Sequence, residues 1–297
     1  MLDPSWLWAL FTIIAAVAQT VRNATQRELT AKLGTVGATH VRFLFGFPFA
    51  LVFLAGVMIA LGQGLPRPPP MFWPWVIVGA VAQVGATALM LAAMTDRSFV
   101  VVYAYIKTEP VQVALFGLVF LGDEVTLVMA AAIVTATAGV VIMAIKPDTP
   151  SSLAATLLGL AAGAMFALSA VAFRGAILHL GGSSYVMAAT LTVVVGLMLQ
   201  SVLLSLYLRM REPEVLGVIV RAWRPSLFAG FMGALASQFW FLAFALATAA
   251  SVRTLALVEV LFAQAISRFA FRQRTSLQEG AGIVLIVIGV TLVLWAQ

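Results

Sequence analysis

No cysteine occurs among the 297 residues, which removes disulfides, thiolate nucleophiles, cysteine zinc sites and iron–sulfur clusters together. Histidine is almost as scarce. His40 and His179 stand far apart, and neither has a metal-compatible partner three or four residues away, so no metal site is expected. The third shortage is charge: Asp, Glu, Lys and Arg make up 9% of the chain, where a soluble domain carries about 25%. Sequence motifs for the common chemistries are missing too. The chain has no phosphate loop ending in Gly-Lys-Ser/Thr, no Gly-x-Ser-x-Gly and no His-Glu-x-x-His. ATP hydrolysis on this chain, intramembrane enzymology and a bound cofactor are therefore not expected.

What fills the space is apolar, with 63% of residues hydrophobic. One or two water-soluble domains of this length cannot hide so much apolar surface, so the excess must face lipid. The net charge of +6 does not indicate nucleic acid, because the basic residues mostly sit in short gaps between long apolar runs. Arg outnumbers Lys in an Ala-, Val- and Leu-rich chain, which suggests coding by a GC-rich bacterial genome. The N-terminus lacks the basic region and small-residue cleavage site of a removable signal peptide. The apolar run from Trp6 onward is therefore expected to be a retained membrane helix.

A bilayer core of about 30 Å takes roughly 20 apolar residues per helical span. That ruler finds ten spans, at 4–21 (extending toward Ala31), 39–61, 71–95, 98–121, 125–145, 152–178, 184–208, 226–247, 250–271 and 276–295. Turn-forming residues mark the gaps, among them Gly62-Gln63-Gly64, Pro68-Pro69-Pro70, Lys146-Pro147-Asp148, Gly181-Gly182 and Arg224-Pro225. No extramembrane domain is expected. The gap after Lys146 falls near the midpoint, with five spans on each side. Shifting the chain by 150 positions lays Glu109 on Glu259, Thr126 on Ser276 and Gly139 on Gly289, together with Leu127, Ala131, Ile133, Val134 and Val140 on identical residues. The expected architecture is all-α, with ten transmembrane helices in two five-helix repeats, 1–147 and 151–297. An odd number of crossings per repeat inverts the second copy, an arrangement common in secondary transporters.

The stretch Glu109-Pro110-Val111 through Leu121-Gly122-Asp123-Glu124-Val125-Thr126, followed by a small-residue span with Gly139, resembles the signature of the EamA-type branch of the drug/metabolite transporter superfamily. The second half keeps Gly289 but carries Val260 in place of the proline and Arg272-Gln273-Arg274 in place of the turn, so its copy is degenerate. Within the superfamily, residues 103–109 and the five-plus-five layout look most like the YddG-type exporters of amino acids. The resemblance implies a multi-pass protein of the bacterial inner membrane that exports amino acids and related small metabolites by alternating access, with the lipid bilayer and a small-molecule substrate as its partners. A monomer would suffice, because the repeat already supplies two halves. Other readings are an exporter of hydrophobic drugs, which needs no fixed cation, a structural membrane subunit without cargo, and an ion channel. The last finds no charge ring or selectivity sequence.

Charges inside apolar runs carry the most information, since each costs about 2.5–3.5 kcal/mol at the bilayer centre unless it pairs or faces a wet cavity. They are Arg42, Lys107, Glu109, Arg253 and Glu259. Lys107 and Glu259 are expected near the substrate path, holding opposite ends of a zwitterion; the alternative is an interhelical pair that only pins two spans together. Tyr103 and Lys107 share a helix face. Glu109 points away from it unless Pro110 breaks the helix, and is expected to pack against a neighbouring helix. Gln83, Gln238 and Trp240 complete the expected substrate contacts, and Glu109 and Glu259 are the candidate proton carriers. Arg42 is expected to snorkel to the interface. Trp6, Trp8, Trp73, Trp75, Trp223 and Trp295 are assigned to an interfacial belt. Orientation draws two opposed expectations. The excess of Lys and Arg in odd-numbered connections places both termini outside, whereas the superfamily resemblance implies cytoplasmic termini.

Overall fold

Long runs of Leu, Ala, Val and Ile in lipid leave the backbone one way to satisfy its own N–H and C=O groups within a single segment, which is to coil into a helix. A computed structural model describes residues 6–96, 102, 105–144, 153–181, 184–269 and 276–296, and no strand occurs among these described residues. The helices are α1 (Leu7–Leu44), α2 (Gly46–Leu61), α3 (Phe72–Asp96), α4 (Glu109–Leu121), α5 (Leu127–Ala144), α6 (Leu153–His179), α7 (Tyr185–Arg211), α8 (Pro213–Arg221), α9 (Trp223–Leu246), α10 (Ala249–Leu255), α11 (Val258–Phe269) and α12 (Leu277–Trp295). Among the described residues, six stretches are long and apolar enough to cross a membrane: Leu33–Leu61, Phe72–Ala93, Leu153–His179, Tyr185–Arg211, Trp223–Leu246 and Leu277–Trp295. Shorter apolar helices cover Leu7–Asn23, Glu109–Leu121 and Leu127–Met143.

Local chemistry explains several boundaries. The first helix runs beyond Val21 and breaks at Gly34, whose φ of 66° and ψ of 176° suit glycine alone. Arg22 therefore rides on a helix and not in a loop. Thr126 caps α5 through the Met129 N–H, and Ser276 begins α12 with a reciprocal capping box to Glu279. The nine-residue α8 falls in what the sequence reads as a plain gap. It opens with Pro213, buries Ile219, and belongs to a core with Leu29, Leu33, Val41 and Leu208.

The chain divides into two compact units that interleave in sequence. Unit 1 comprises Met1–Ala9, Ala82–Val171 and Ala247–Gln297; unit 2 comprises Leu10–Val81 and Ala172–Leu246. In unit 2, α2 packs on α7 and α9, and α9 packs on α7. Large side chains there fill glycine gaps: Phe173 lies over Gly79, and Trp75 over Gly175. In unit 1, α4 packs against α10, and α5 lies along α12. That last contact is tight and reciprocal. A methyl group on Gly139 would stand 2.7 Å from the Gly282 carbonyl oxygen and 2.9 Å from the Ile286 nitrogen. One on Gly289 would stand 2.7 Å from the Ala132 carbonyl oxygen and 2.6 Å from the Ala136 nitrogen. Residues 139, 132 and 136 become 289, 282 and 286 on adding 150, so each helix offers its partner the same surface that it receives. Such reciprocity is what a two-fold axis between two elements requires.

The tryptophans only partly follow the expected belt. Trp6, Trp73, Trp223 and Trp295 are exposed, as lipid-facing residues would be, whereas Trp8 is buried. Trp75 stacks on His179, their ring centroids 5.9 Å apart.

Candidate functional site: a crossed pair of ion pairs at two helix breaks

The fourth apolar run does not continue as one helix through its charges. Lys107 and Thr108 form a turn in which Thr108 N–H donates to the Tyr105 carbonyl at 3.2 Å and Val111 N–H to the Thr108 carbonyl at 3.2 Å, a tighter pattern than the α-helical one. Helix α4 then starts at Glu109 with Pro110 in its first turn, where the missing proline N–H has no intrahelical partner to lose. Pro110 thus opens a new helix instead of kinking an old one. The ninth run breaks at the same place: α10 ends at Leu255 and α11 begins at Val258. Here Leu257 N–H donates to the Thr254 carbonyl, Glu259 N–H to Ala256 and Val260 N–H to Leu257, over 3.0–3.1 Å. No proline is involved.

These two breaks bring four charges together within unit 1. Lys107 Nζ donates to Glu259 Oε1 in a buried ion pair. Arg253 Nε lies 3.0 Å from Glu109 Oε1; the N–H does not aim along that line, so the contact is an ion pair more than a hydrogen bond. Glu109 and Glu259 hold one register 150 residues apart, and each takes its cation from the opposite half of the chain. Lys107, Glu109 and Glu259 are all buried, so these pairs interact with little screening by water. The four charges cancel. Glu109 packs toward a neighbouring helix as expected, but Arg253, unpaired in the sequence reading, is the residue it meets there.

The other expected contacts scatter. Tyr103 lies outside the described residues. Gln83 stands on the unit 1 part of α3, and its carbonyl accepts from the Thr87 hydroxyl at 3.0 Å. Gln238 and Trp240 belong to unit 2. There Gln238 Nε2 donates to Thr190 Oγ1 at 2.7 Å, and Trp240 Nε1 donates to Gln19 Oε1 at 3.3 Å. Arg42 is half-buried; its Nε and Nη2 are sealed from solvent, and the guanidinium lies 4.3 Å from the centre of the Phe43 ring. His40, which sequence left without a role, is wholly buried with Nε2 3.0 Å from Ser205 Oγ.

Comparison with known proteins finds one family match, in the first half of the chain. Residues 6–145 match the EamA-like transporter family. The match spans just under half of the chain, and the apolar helices are those of a multi-pass membrane protein. It covers α1 to α5 and therefore includes Lys107 and Glu109, but not Arg253 or Glu259. The EamA-like turn at Leu121–Glu124 has a physical basis here. Gly122 ends α4 at a φ of 68°, and Asp123 folds back so that its N–H donates to the Gly117 carbonyl at 3.1 Å. A solved crystal structure of a protein shares the fold over 99% of each chain, with a TM-score of 0.73 at 15% identity. No curated protein matches by sequence.

Proposed function

We propose that the chain is a secondary transporter of the bacterial inner membrane that exports amino acids and related small metabolites by alternating access. In this reading ten spans form two inverted five-helix repeats, 1–147 and 151–297, and one chain is the functional unit. One observation carries it: the carboxylates at equivalent positions of the two halves each pair with a cation from the other half, beside a helix break. Broken helices at mid-span are where secondary transporters bind their substrates and coupling ions. The reciprocal seating of α5 on α12 supports the internal two-fold.

A zwitterion matches this chemistry. Its carboxylate replaces Glu259 as partner of Lys107, and its ammonium replaces Lys107 as partner of Glu259, so no buried charge is left alone at any stage. Tyr103 and Gln83 supply further contacts in this reading, while Gln238 and Trp240 keep the partners they have within unit 2, Thr190 and Gln19. If export is coupled to protons, Glu109 and Glu259 carry them. A second reading, export of uncharged hydrophobic compounds, draws on the cancellation of the four charges, which leaves no net charge for a charged solute.

The deciding experiment reconstitutes the purified chain in liposomes and follows labelled acidic, basic, small and aromatic amino acids with and without a pH gradient. Saturable uptake lost in Lys107→Met, with the variant demonstrably folded, is the expected result. Folded wild-type protein that moves no amino acid but moves hydrophobic dyes would replace the first reading with the second.

A further inference from the structure

The connection from α7 to α9 gathers charge at one end of unit 2. Gln238, late in α9, bonds Thr190, early in α7, so these two membrane-length helices run antiparallel and their joined ends share one face of the membrane. That face carries Arg209 and Arg211 in the last turn of α7, Arg221 at the end of α8 and Arg224 in the first turn of α9. All four are exposed. At the far ends of the same two helices, residues 181–185 and 246–250 include no Asp, Glu, Lys or Arg. Glu212 and Glu214 stand between the arginines in sequence, yet none of the four guanidinium groups makes an ion pair or a hydrogen bond among the described residues. Arg224 instead lies over the Trp223 ring, 5.4 Å from its centre.

Helix α8 is too short to cross a bilayer and joins two helices that do. Its inner side is set by Ile219, which is buried, and by Val215 one turn earlier, which closes on Gly37 of α1. At 100° per residue, Val218 and Val220 fall on the two flanks of Ile219, and both are exposed, Val220 at 65%. Arg221 points away from the core side. Tyr207, one turn before Arg211, and Trp223 are exposed as well, the pair of residue types that settle at headgroup level. Beyond them Leu206, Leu227 and Phe228 continue the exposed surface in purely apolar side chains. Cations, aromatic anchors and then bare hydrocarbon follow one another along α7 and α9 in the order in which a lipid leaflet presents phosphate, glycerol and acyl chain.

We propose that the α7–α8–α9 corner is a binding site for anionic phospholipid, with the four arginines on headgroup phosphates and the Val220 flank of α8 against the upper acyl chains. The guanidinium fork matches a phosphate, and none of these forks has a protein carboxylate to give up first. A zwitterionic lipid brings its own ammonium with its phosphate, so the net attraction is for anionic lipid. Continuity with the lipid-facing surface of α7 and α9 favours lipid over a soluble acidic partner, which would leave Val220 and Phe228 uncovered. The site requires only that the chain lies in a membrane and does not depend on which solute it transports.

The absence of cysteine makes the test direct, because Val220→Cys in the full-length chain takes a thiol-reactive fluorophore at one place only. The labelled protein is reconstituted in vesicles of phosphatidylcholine and phosphatidylglycerol, with bromine on the acyl chains of one lipid or the other. Quenching against lipid fraction then gives the relative affinity of the two lipids beside α8. Brominated phosphatidylglycerol should quench more strongly than brominated phosphatidylcholine at equal fraction, and high salt should narrow the gap. Adding Arg211→Gln or Arg221→Gln alone should lower the preference by up to about fivefold, and replacing all four arginines with Gln should abolish it. Replacing all four with Lys should keep most of it, since the charge remains. The single variants carry the test if the fourfold Gln variant does not fold. Equal quenching by the two lipids, a preference that survives removal of the arginines in folded protein, or quenching by neither lipid, which would place Val220 in water or against another chain, would overturn the proposal.

Discussion

Breaking the Lys107–Glu259 pair from one side should do far more harm to the fold than deleting it from both sides. Lys107→Met keeps the length of the side chain but strands the Glu259 carboxylate, whose side chain is only 8% exposed. Losing one partner of a buried pair costs about 3–5 kcal/mol, because the survivor keeps its desolvation penalty and loses its Coulombic return. Adding Glu259→Leu removes that stranded charge, and a buried pair replaced by apolar residues of similar volume is typically neutral or better. The double variant should therefore unfold within about 1 kcal/mol of wild type, and the cycle should give a large favourable coupling between the two positions. Reversible unfolding in mixed micelles, followed by circular dichroism, measures all four corners. The same four proteins in liposomes separate structure from function: the double variant should be folded and inactive. A loss below about 1 kcal/mol in Lys107→Met would mean that water reaches the carboxylate. Wild-type transport by the double variant would reduce the pair to a pin between α10–α11 and the start of α4.

Four further outcomes follow from the same geometry. Gly139→Ala should lose about 1–3 kcal/mol of stability, because the new methyl meets the Gly282 carbonyl at 2.7 Å, whereas Gly56→Ala, with nothing within 4 Å, should be neutral or gain up to about 1 kcal/mol; thermal melts of the pair decide it. Pro110→Val should leave stability within about 1 kcal/mol and transport intact, since the break before Glu259 forms with Val260 in the matching place; loss of transport in folded protein would make the proline essential to the break. Glu109→Gln should abolish any acceleration of uptake by a pH gradient if Glu109 carries the proton, and unchanged acceleration in the liposome assay would leave Glu259 as the sole candidate. Gly122→Ala should cost about 1–2 kcal/mol by forcing a side chain into the left-handed region at a φ of 68°, readable as a lowered unfolding midpoint.

How much of this was legible in the sequence depends on the range of the interaction. Membrane class follows from composition alone, because 63% apolar residues admit no other solvent. Turns and caps were legible where one residue dictates them, as Gly122 and Ser276 do, whereas Pro110 marks a break that its counterpart forms without a proline. The helix α8 was not, since nine amphipathic residues between two basic clusters fall below the ruler used for spans. Lys107 and Glu259 stood out because a charge in an apolar run must find a partner somewhere. Arg253 stood out equally, but spacing within its own helix excluded Glu259 and said nothing about Glu109, which is 144 residues earlier and is brought near only by folding. Arg42 was legible only as a charge near the end of an apolar run; that two of its guanidinium nitrogens are sealed and that Gly233 of α9 lies against its Cβ follow from packing alone.

If the proposed internal repeat holds, the crossed ion pairs keep it in their carboxylates and abandon it in their cations. Lys107 precedes Glu109 by two residues, while Arg253 precedes Glu259 by six, so the two halves reach across with different side chains from different registers. The difference is chemical as well as positional. An arginine stays charged under all ordinary conditions, and its fork holds a fixed geometry; a lysine is a compact charge on a flexible stem, able to turn toward a new partner or give up its proton when desolvated. Two identical pairs would bias neither half of the site. Pairing Glu109 with an arginine and Glu259 with a lysine instead makes one contact a fixed joint and the other exchangeable. In the proposed cycle the solute then competes for Lys107 and Glu259, and Arg253 with Glu109 holds α10 against α4 while it does so.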